Sequence, residues 1–202
     1  MEYCAAGDLF DVIQSPHGNM LTPLLAESIL VQLLAGIQHM HRCGIAHRDL
    51  KLDNICLTAD YTVKIIDLGS ARHLGSPHEL LLHPLKRYTT GLCGSDPYLA
   101  PEVIGNPQAA YDPFKLDIWS AGIVYVTLVS GNFPWKTAQL ADANFFMYLS
   151  RGPALIDHWI RPGGGYDRPA GLIKRMLTFN VADRPCIEAL MGDPYLLPYI
   201  AI

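Results

Sequence analysis

The chain has 202 residues, of which 50% are hydrophobic and 17% charged, with a formal net charge of −4. That balance fits one globular domain, or one large lobe of a bigger one, with a substantial core, and it excludes a disordered chain. No long run of either charge marks a nucleic-acid surface or a polybasic membrane module.

Met1 to Cys4 reads as a strand end or extended link, with no secretory signal. Asp8 is placed to cap a short helix, Leu9 to Gln14, followed by a loop at Ser15 to Asn19. Thr22 and Pro23 open the next helix as N-cap and first helical residue. Leu25, Ile29, Leu33, Ile37 and Met40 mark its buried face, and Cys43-Gly44 ends it. Ile45 to Asn54 reads as a loop. Ile55 to Leu57 and Val63 to Ile66 read as two strands joined at Ala59-Asp60. Gly69 to Cys93 has no clear period and is expected to be irregular; long loops of this kind are usually functional. A short helix is expected near Glu102 to Ile104. Lys115 to Ser130 is apolar on more than one face and predicts a buried helix; its run Ala121 to Val129 is too short to span a bilayer. Further helices are expected over 140–151, 170–177 and 186–191, with a Gly-rich loop at Gly163 to Gly165. The sum is a mainly α chain with a small β-hairpin. Cys4, Cys43, Cys56, Cys93 and Cys186 form no C-x-x-C pair and are odd in number, which points to reduced thiols and a cytoplasmic setting.

The chemistry concentrates in His47-Arg48-Asp49-Leu50-Lys51-Leu52-Asp53-Asn54 and, after the hairpin, Asp67-Leu68-Gly69. Asp49 can take or orient the proton of an attacking hydroxyl, and Lys51 can reach a transferred phosphate. Asn54 and Asp67 carry hard oxygens suited to Mg²⁺. Taken alone, each of these is an ordinary loop, turn or core residue; order and spacing together carry the signal.

These residues resemble the catalytic loop (H-R-D-L-x-x-x-N) and the D-F-G motif of eukaryotic protein kinases, with Leu68 replacing Phe. Ala100-Pro101-Glu102 resembles A-P-E, and Asp117-Ile118-Trp119-Ser120 the start of the central helix whose Asp supports the catalytic loop. Arg184 resembles the late arginine that pairs with Glu102, a buried pair whose loss costs roughly 3–5 kcal/mol. The resemblance implies a partial kinase domain over residues 1–202: hinge 1–8, catalytic loop 47–54, activation segment 67–102. It implies a C-terminal-lobe fold with the N-terminal β-rich lobe absent, ATP and Mg²⁺ as cofactors, and a protein substrate offering Ser or Thr.

Lys51 and Ser95 match the serine/threonine type. The phrase Gly94-Ser95-Asp96-Pro97-Tyr98-Leu99-Ala100-Pro101-Glu102, with Met1-Glu2-Tyr3-Cys4 and Phe133-Pro134-Trp135-Lys136, resembles the fungal nitrogen-permease-reactivator and halotolerance kinases, which implies transporter-regulatory partners. The resemblance also assigns Glu2, Cys4 and Cys56 to adenine and Asp8 to ribose. Cys56 departs from a larger apolar residue and lowers the expected nucleotide affinity. Arg48 is expected to meet a phosphate on Thr89 or Thr90, and Asp53 to favour a basic substrate residue.

The 202 residues contain no G-x-G-x-x-G and no V-A-I-K lysine, and Lys64 lies in the hairpin on the wrong side of the site. The chain is therefore expected to be truncated and inactive alone, exposing Met1, Leu57 and Leu68 as an apolar patch. A lobe-only binding or scaffold module is the alternative, and a metal-dependent hydrolase using Asp49, Asn54 and Asp67 a third.

Overall fold

The computed structural model describes residues 4–14, 21–160 and 169–200. Met1, Glu2 and the loops expected at Ser15 to Asn19 and Gly163 to Gly165 lie outside them. The elements in order are α1 (Leu9–Gln14), α2 (Pro23–Arg42), β1 (Ile45–Ala46), β2 (Ile55–Leu57), β3 (Val63–Ile65), β4 (Arg72–His73) and α3 (Pro77–Leu82). Then come α4 (Pro101–Gly105), α5 (Pro113–Ser130), α6 (Ala143–Arg151), α7 (Ala154–Ile160), α8 (Ala170–Met176), α9 (Ile187–Met191) and α10 (Leu197–Ile200).

The centre is α5. Asp112 caps it by accepting from the Phe114 amide at 3.0 Å, two residues earlier than the apolar pattern suggests. Every residue from Pro113 to Leu128 except Lys115 is buried, because α2, α7, α8 and β1 pack around it. A helix walled in on all sides has no polar stripe, which is why its sequence reads apolar throughout. On α2, Thr22 accepts from the Leu25 amide at 3.2 Å with Pro23 at the first turn. Ile29, Leu33 and Ile37 are buried as spaced, with Leu30 and Leu34 beside them, while Met40 is half-buried.

The hairpin β2–β3 pairs Ile55 with Ile65 and Leu57 with Val63. Alternation along β2 turns Ile55 and Leu57 inward and leaves Cys56 on the other face. This corrects the expectation that Leu57 is exposed: it is fully buried, whereas Leu68 is 58% exposed.

A second two-stranded sheet, β1 with β4, joins stretches both expected to be loop, 45–54 and 69–93. Gly44 makes the pairing possible. It has φ +72°, and a Cβ there would lie 1.8 Å from the Gly75 carbonyl oxygen. The same stretch also holds α3, capped by Ser76 and Glu79 in a reciprocal capping box. Helix α6 starts at Ala143 rather than near 140, because Asp142 accepts from the Asn144 and Phe145 amides. Helices α7 and α10 were not expected from the sequence.

Candidate active site

The loop between β1 and β2 is fastened from below by Asp117 of α5. Its carboxylate, 1% exposed, accepts from the amides of His47 (2.9 Å) and Arg48 (2.8 Å) and from Nε2 of His41 (2.8 Å). The fully buried His47 ring braces the loop from inside. Its Nε2 donates to the Ile66 carbonyl at 2.9 Å, and its Nδ1 accepts from the Asp49 amide at 3.3 Å. Those two partners require the tautomer with the proton on Nε2. Tyr98 adds a third support: its hydroxyl accepts from the Leu52 amide at 3.3 Å, and burial pushes its pKa far up.

On this base the polar groups converge. Asp49 Oδ2 lies 3.2 Å from Lys51 Nζ, and Asp49 Oδ1 accepts from the Ser95 hydroxyl at 3.1 Å. Lys51 Nζ donates to the same hydroxyl at 3.2 Å, closing a triangle of acid, cation and hydroxyl. Asn54 is buried, and its Nδ2 donates to the Asp49 carbonyl at 2.9 Å and more loosely to Oδ2 at 3.4 Å. With the amide nitrogen so occupied, Asn54 Oδ1 is the atom left to act as a ligand. The hairpin returns the chain to the same place, since the Ile66 amide donates to the Asn54 carbonyl at 2.9 Å. Asp67 follows in the left-handed region, φ +60°, exposed, with one carboxylate oxygen accepting from the Gly69 amide at 3.1 Å.

Among the described residues only Arg48, Tyr61 and Asp67 are non-glycines with positive φ, and two of the three belong to this site. Backbone held in such conformations gathers where function needs a fixed geometry. Gly94 brings the 67–102 segment onto the loop: it has φ +116°, and a Cβ there would lie 2.9 Å from the Arg48 carbonyl oxygen and 2.8 Å from Leu99 Cδ2.

The donor set suits Mg²⁺. No cluster of three His, Cys, Asp or Glu side chains able to hold a metal occurs among the described residues. One amide oxygen and one carboxylate match an ion that keeps phosphate and water as its remaining ligands.

The residues expected at a nucleotide are less closely gathered. Asp8 caps α1, accepting from the Asp11 amide at 2.8 Å, and bridges to Cys56 in the backbone. Cys4 and Cys56 are half-buried, and Glu2 lies outside the described residues. Burial, with the Cys4 thiol and the Asp8 carboxylate beside it, pushes the Cys56 thiol up, so it packs as a neutral group. Asp53 is exposed. Of the two threonines, Thr89 is buried at 4% exposure and only Thr90 faces solvent.

Below the site, fully buried Arg184 donates to both carboxylate oxygens of Glu102, at 2.7 and 3.0 Å. It donates also to the Lys115 and Thr178 carbonyls and lies over the Trp119 ring at 4.9 Å. The guanidinium is thereby paired on its edge and packed on its face, which is what a buried charge requires.

The sequence model of the protein kinase domain family matches residues 1–196. The chain belongs to the protein kinase domain family. Its relatives place this kinase domain with the serine/threonine type. It is 42% identical over 144 residues to the serine/threonine-protein kinase ppk8 of Schizosaccharomyces pombe, covering 71% of this chain and 26% of that protein. It is 34% identical over 181 residues to HAL4/SAT4 of Saccharomyces cerevisiae, covering 90% of this chain and 27% of that protein. To chk-1 of Caenorhabditis briggsae it is 32% identical over 195 residues, 96% of this chain and 37% of that one. The kinase domain thus resembles the fungal halotolerance group, and it spans between about a quarter and two fifths of the length of these relatives.

Three residues that support this candidate site carry no signal in the sequence: His41, Tyr98 and Tyr111. His41 lies six residues before His47 on the last turn of α2, and only the helix packing shows that it faces Asp117. Tyr98 lies within Gly94 to Glu102 but carries no local mark of its role. Tyr111 Oη accepts from Arg48 Nε at 3.2 Å, and no motif flags it.

Proposed function

We propose that this chain carries the phosphoryl-transfer centre of a serine/threonine protein kinase that moves the γ-phosphate of ATP to protein hydroxyls. The single observation that carries the reading is the convergence of Asp49, Lys51 and Ser95, with Asn54 tied to the Asp49 carbonyl. Asp49 orients the substrate hydroxyl and accepts its proton. Lys51 lies close enough to Asp49 to meet the phosphoryl group as it arrives, and Ser95 holds the acid and the cation in register. Asn54 Oδ1 and the Asp67 carboxylate hold Mg²⁺, which neutralises phosphate charge when bound. His47, Asp117, Glu102 and Arg184 keep the site in shape.

Cys4 and Cys56 border the adenine, with Asp8 toward the ribose. Arg48 serves the activation segment, with Thr90 the accessible threonine, and exposed Asp53 favours a basic residue on the substrate. The 202 residues hold no G-x-G-x-x-G to cover the phosphates, so alone they are expected to transfer phosphate poorly. A cytoplasmic setting and control of membrane transporters extend the resemblance to the halotolerance group. No helix among the described residues is long and apolar enough to cross a membrane.

The test is the Mg²⁺ dependence of transfer from ATP to peptides bearing only Ser and Thr, or only Tyr, by the full-length protein. Asp67→Ala and Asn54→Ala should each depress transfer and raise the Mg²⁺ needed, with the Tyr peptide untouched. Variants that keep the original rate and Mg²⁺ requirement would remove both residues from the metal site and the reading with them.

A further inference from the structure

Arg48 is the residue whose surroundings depart most from expectation. Its guanidinium is engaged by groups of this chain: Nε donates to the Tyr111 hydroxyl at 3.2 Å and Nη1 to the Ser70 carbonyl at 3.5 Å. Tyr111 lies between α4 and α5, 5% exposed, and its hydroxyl in turn donates to the Gly91 carbonyl at 3.4 Å. Its backbone exchanges two hydrogen bonds with Thr89, at 2.9 and 2.8 Å. The side chain and backbone of one residue therefore tie the catalytic loop to both Thr89 and Gly91. An ion pair between Arg87 and Asp112 closes the same seam.

Two features make a phosphate at Thr89 hard to accommodate. The threonine is 4% exposed, and its hydroxyl is buried without a hydrogen-bond partner. A dianion there would have to open the Thr89–Tyr111 bridge. Burial meanwhile raises the Tyr111 phenol, against the pull of Arg48, so it keeps its proton for Gly91 while its oxygen receives Arg48.

We propose that Tyr111 is a positioning residue that stands in for an activation-segment phosphate. Its hydroxyl holds Arg48 and its backbone holds Thr89, which fixes residues 89–95 where Gly94 abuts the loop and Ser95 reaches Asp49. The segment is thus set without phosphorylation of Thr89 or Thr90. This rests on the kinase reading above for its effect on turnover, and on geometry alone for its effect on the segment.

The experiment uses full-length protein as wild type, Tyr111→Phe, Arg48→Lys, the double variant and Thr90→Ala, each with and without phosphatase treatment. Amide hydrogen exchange over 89–95 is read beside transfer to a Ser/Thr peptide. Tyr111→Phe should speed exchange there by about 10-fold and lower kcat by a similar factor with KM for ATP unchanged, as loss of a hydrogen bond to a charged group implies. Arg48→Lys should speed the same exchange, and the double variant should add little beyond either single one, because both break one contact. Thr90→Ala and phosphatase should leave exchange and kcat at wild-type values. Wild-type exchange in Tyr111→Phe, or a Tyr111→Phe-like effect from phosphatase or Thr90→Ala, would overturn the proposal. Wild-type protein without transfer would sink the kinase reading while leaving the exchange result to decide this one.

Discussion

In the loop His47–Asn54, four of eight residues are buried (His47, Leu50, Leu52, Asn54), and the amides of His47 and Arg48 end on one carboxylate of α5. In the arm that follows β4, Leu81, Leu82 and Leu85 stand 77%, 60% and 86% exposed, and α3 buries no residue. Both stretches are short and irregular in sequence. The loop is anchored because its His47 and Arg48 amides are satisfied by a carboxylate on a helix that is itself buried on all sides. The arm touches the core lightly, through Leu74 and half-buried Leu80 against Ala46 and Phe114, and is otherwise held by a capping box and a turn until Arg87, Thr89 and Tyr111 fasten it. In this domain precision comes from buried polar anchors, and segments without them are left to solvent.

That contrast can be broken most severely at Asp117. Asp117→Ala strands three donors, two of them loop amides, and should cost roughly 3–9 kcal/mol at one to three per buried unsatisfied group. Urea unfolding of the variant checks it. Glu102→Ala leaves the Arg184 guanidinium buried without its carboxylate. It should cost roughly 3–5 kcal/mol, nearer the low end because the Glu102 side chain keeps 19% exposure. Gly94→Ala probes the point where the arm meets the loop. The strained φ and the close Arg48 carbonyl predict a loss of roughly 1–3 kcal/mol, read as a lowered melting temperature.

Alkaline pH tests the buried side of the contrast. Burial pushes the Tyr148 phenol up to about 12, and its hydroxyl donates to the Leu177 carbonyl. Between the ordinary phenol value of about 10 and that raised value, the unfolded chain has released this proton and the native chain has not. Stability from this group is therefore complete below pH about 10 and is lost as pH rises toward about 12. Tyr148→Phe should lose less stability than wild type across that window in melting curves. On the exposed side, Leu85→Ser should change stability by no more than about 0.5 kcal/mol by urea unfolding. A large loss there would mean that the arm is packed after all.

Much of this arrangement is legible in the sequence, and the rest is hidden for identifiable reasons. Thr22-Pro23, the apolar run of α5 and the order from His47 to Asp67 are local signals, and local signals survive in a single chain. The pairing of β1 with β4 is not local. Two residues per strand give no alternation to detect, and the decisive feature, Gly44 against Gly75, joins positions 31 apart. The capping box at Ser76 and Glu79 is a local signal, but it stands in a stretch whose apolar residues have no helical period to support it. The burial of Leu57 is hidden because a three-residue strand does not announce which face is inward. His41 and Tyr111 act through contacts 76 and 63 residues away, to Asp117 and Arg48, which no spacing rule reaches.

The central claim is that the loop fastened to Asp117 performs phosphoryl transfer with Asp49 as its proton acceptor. The direct measurement is the rate of γ-phosphate transfer from Mg-ATP to a serine/threonine peptide by full-length protein, wild type against Asp49→Ala, with folding of both checked by circular dichroism. The account predicts that the folded variant loses about 10²–10⁴-fold in kcat, the share a positioned general base supplies. A folded Asp49→Ala protein that transfers phosphate at the wild-type rate would contradict it.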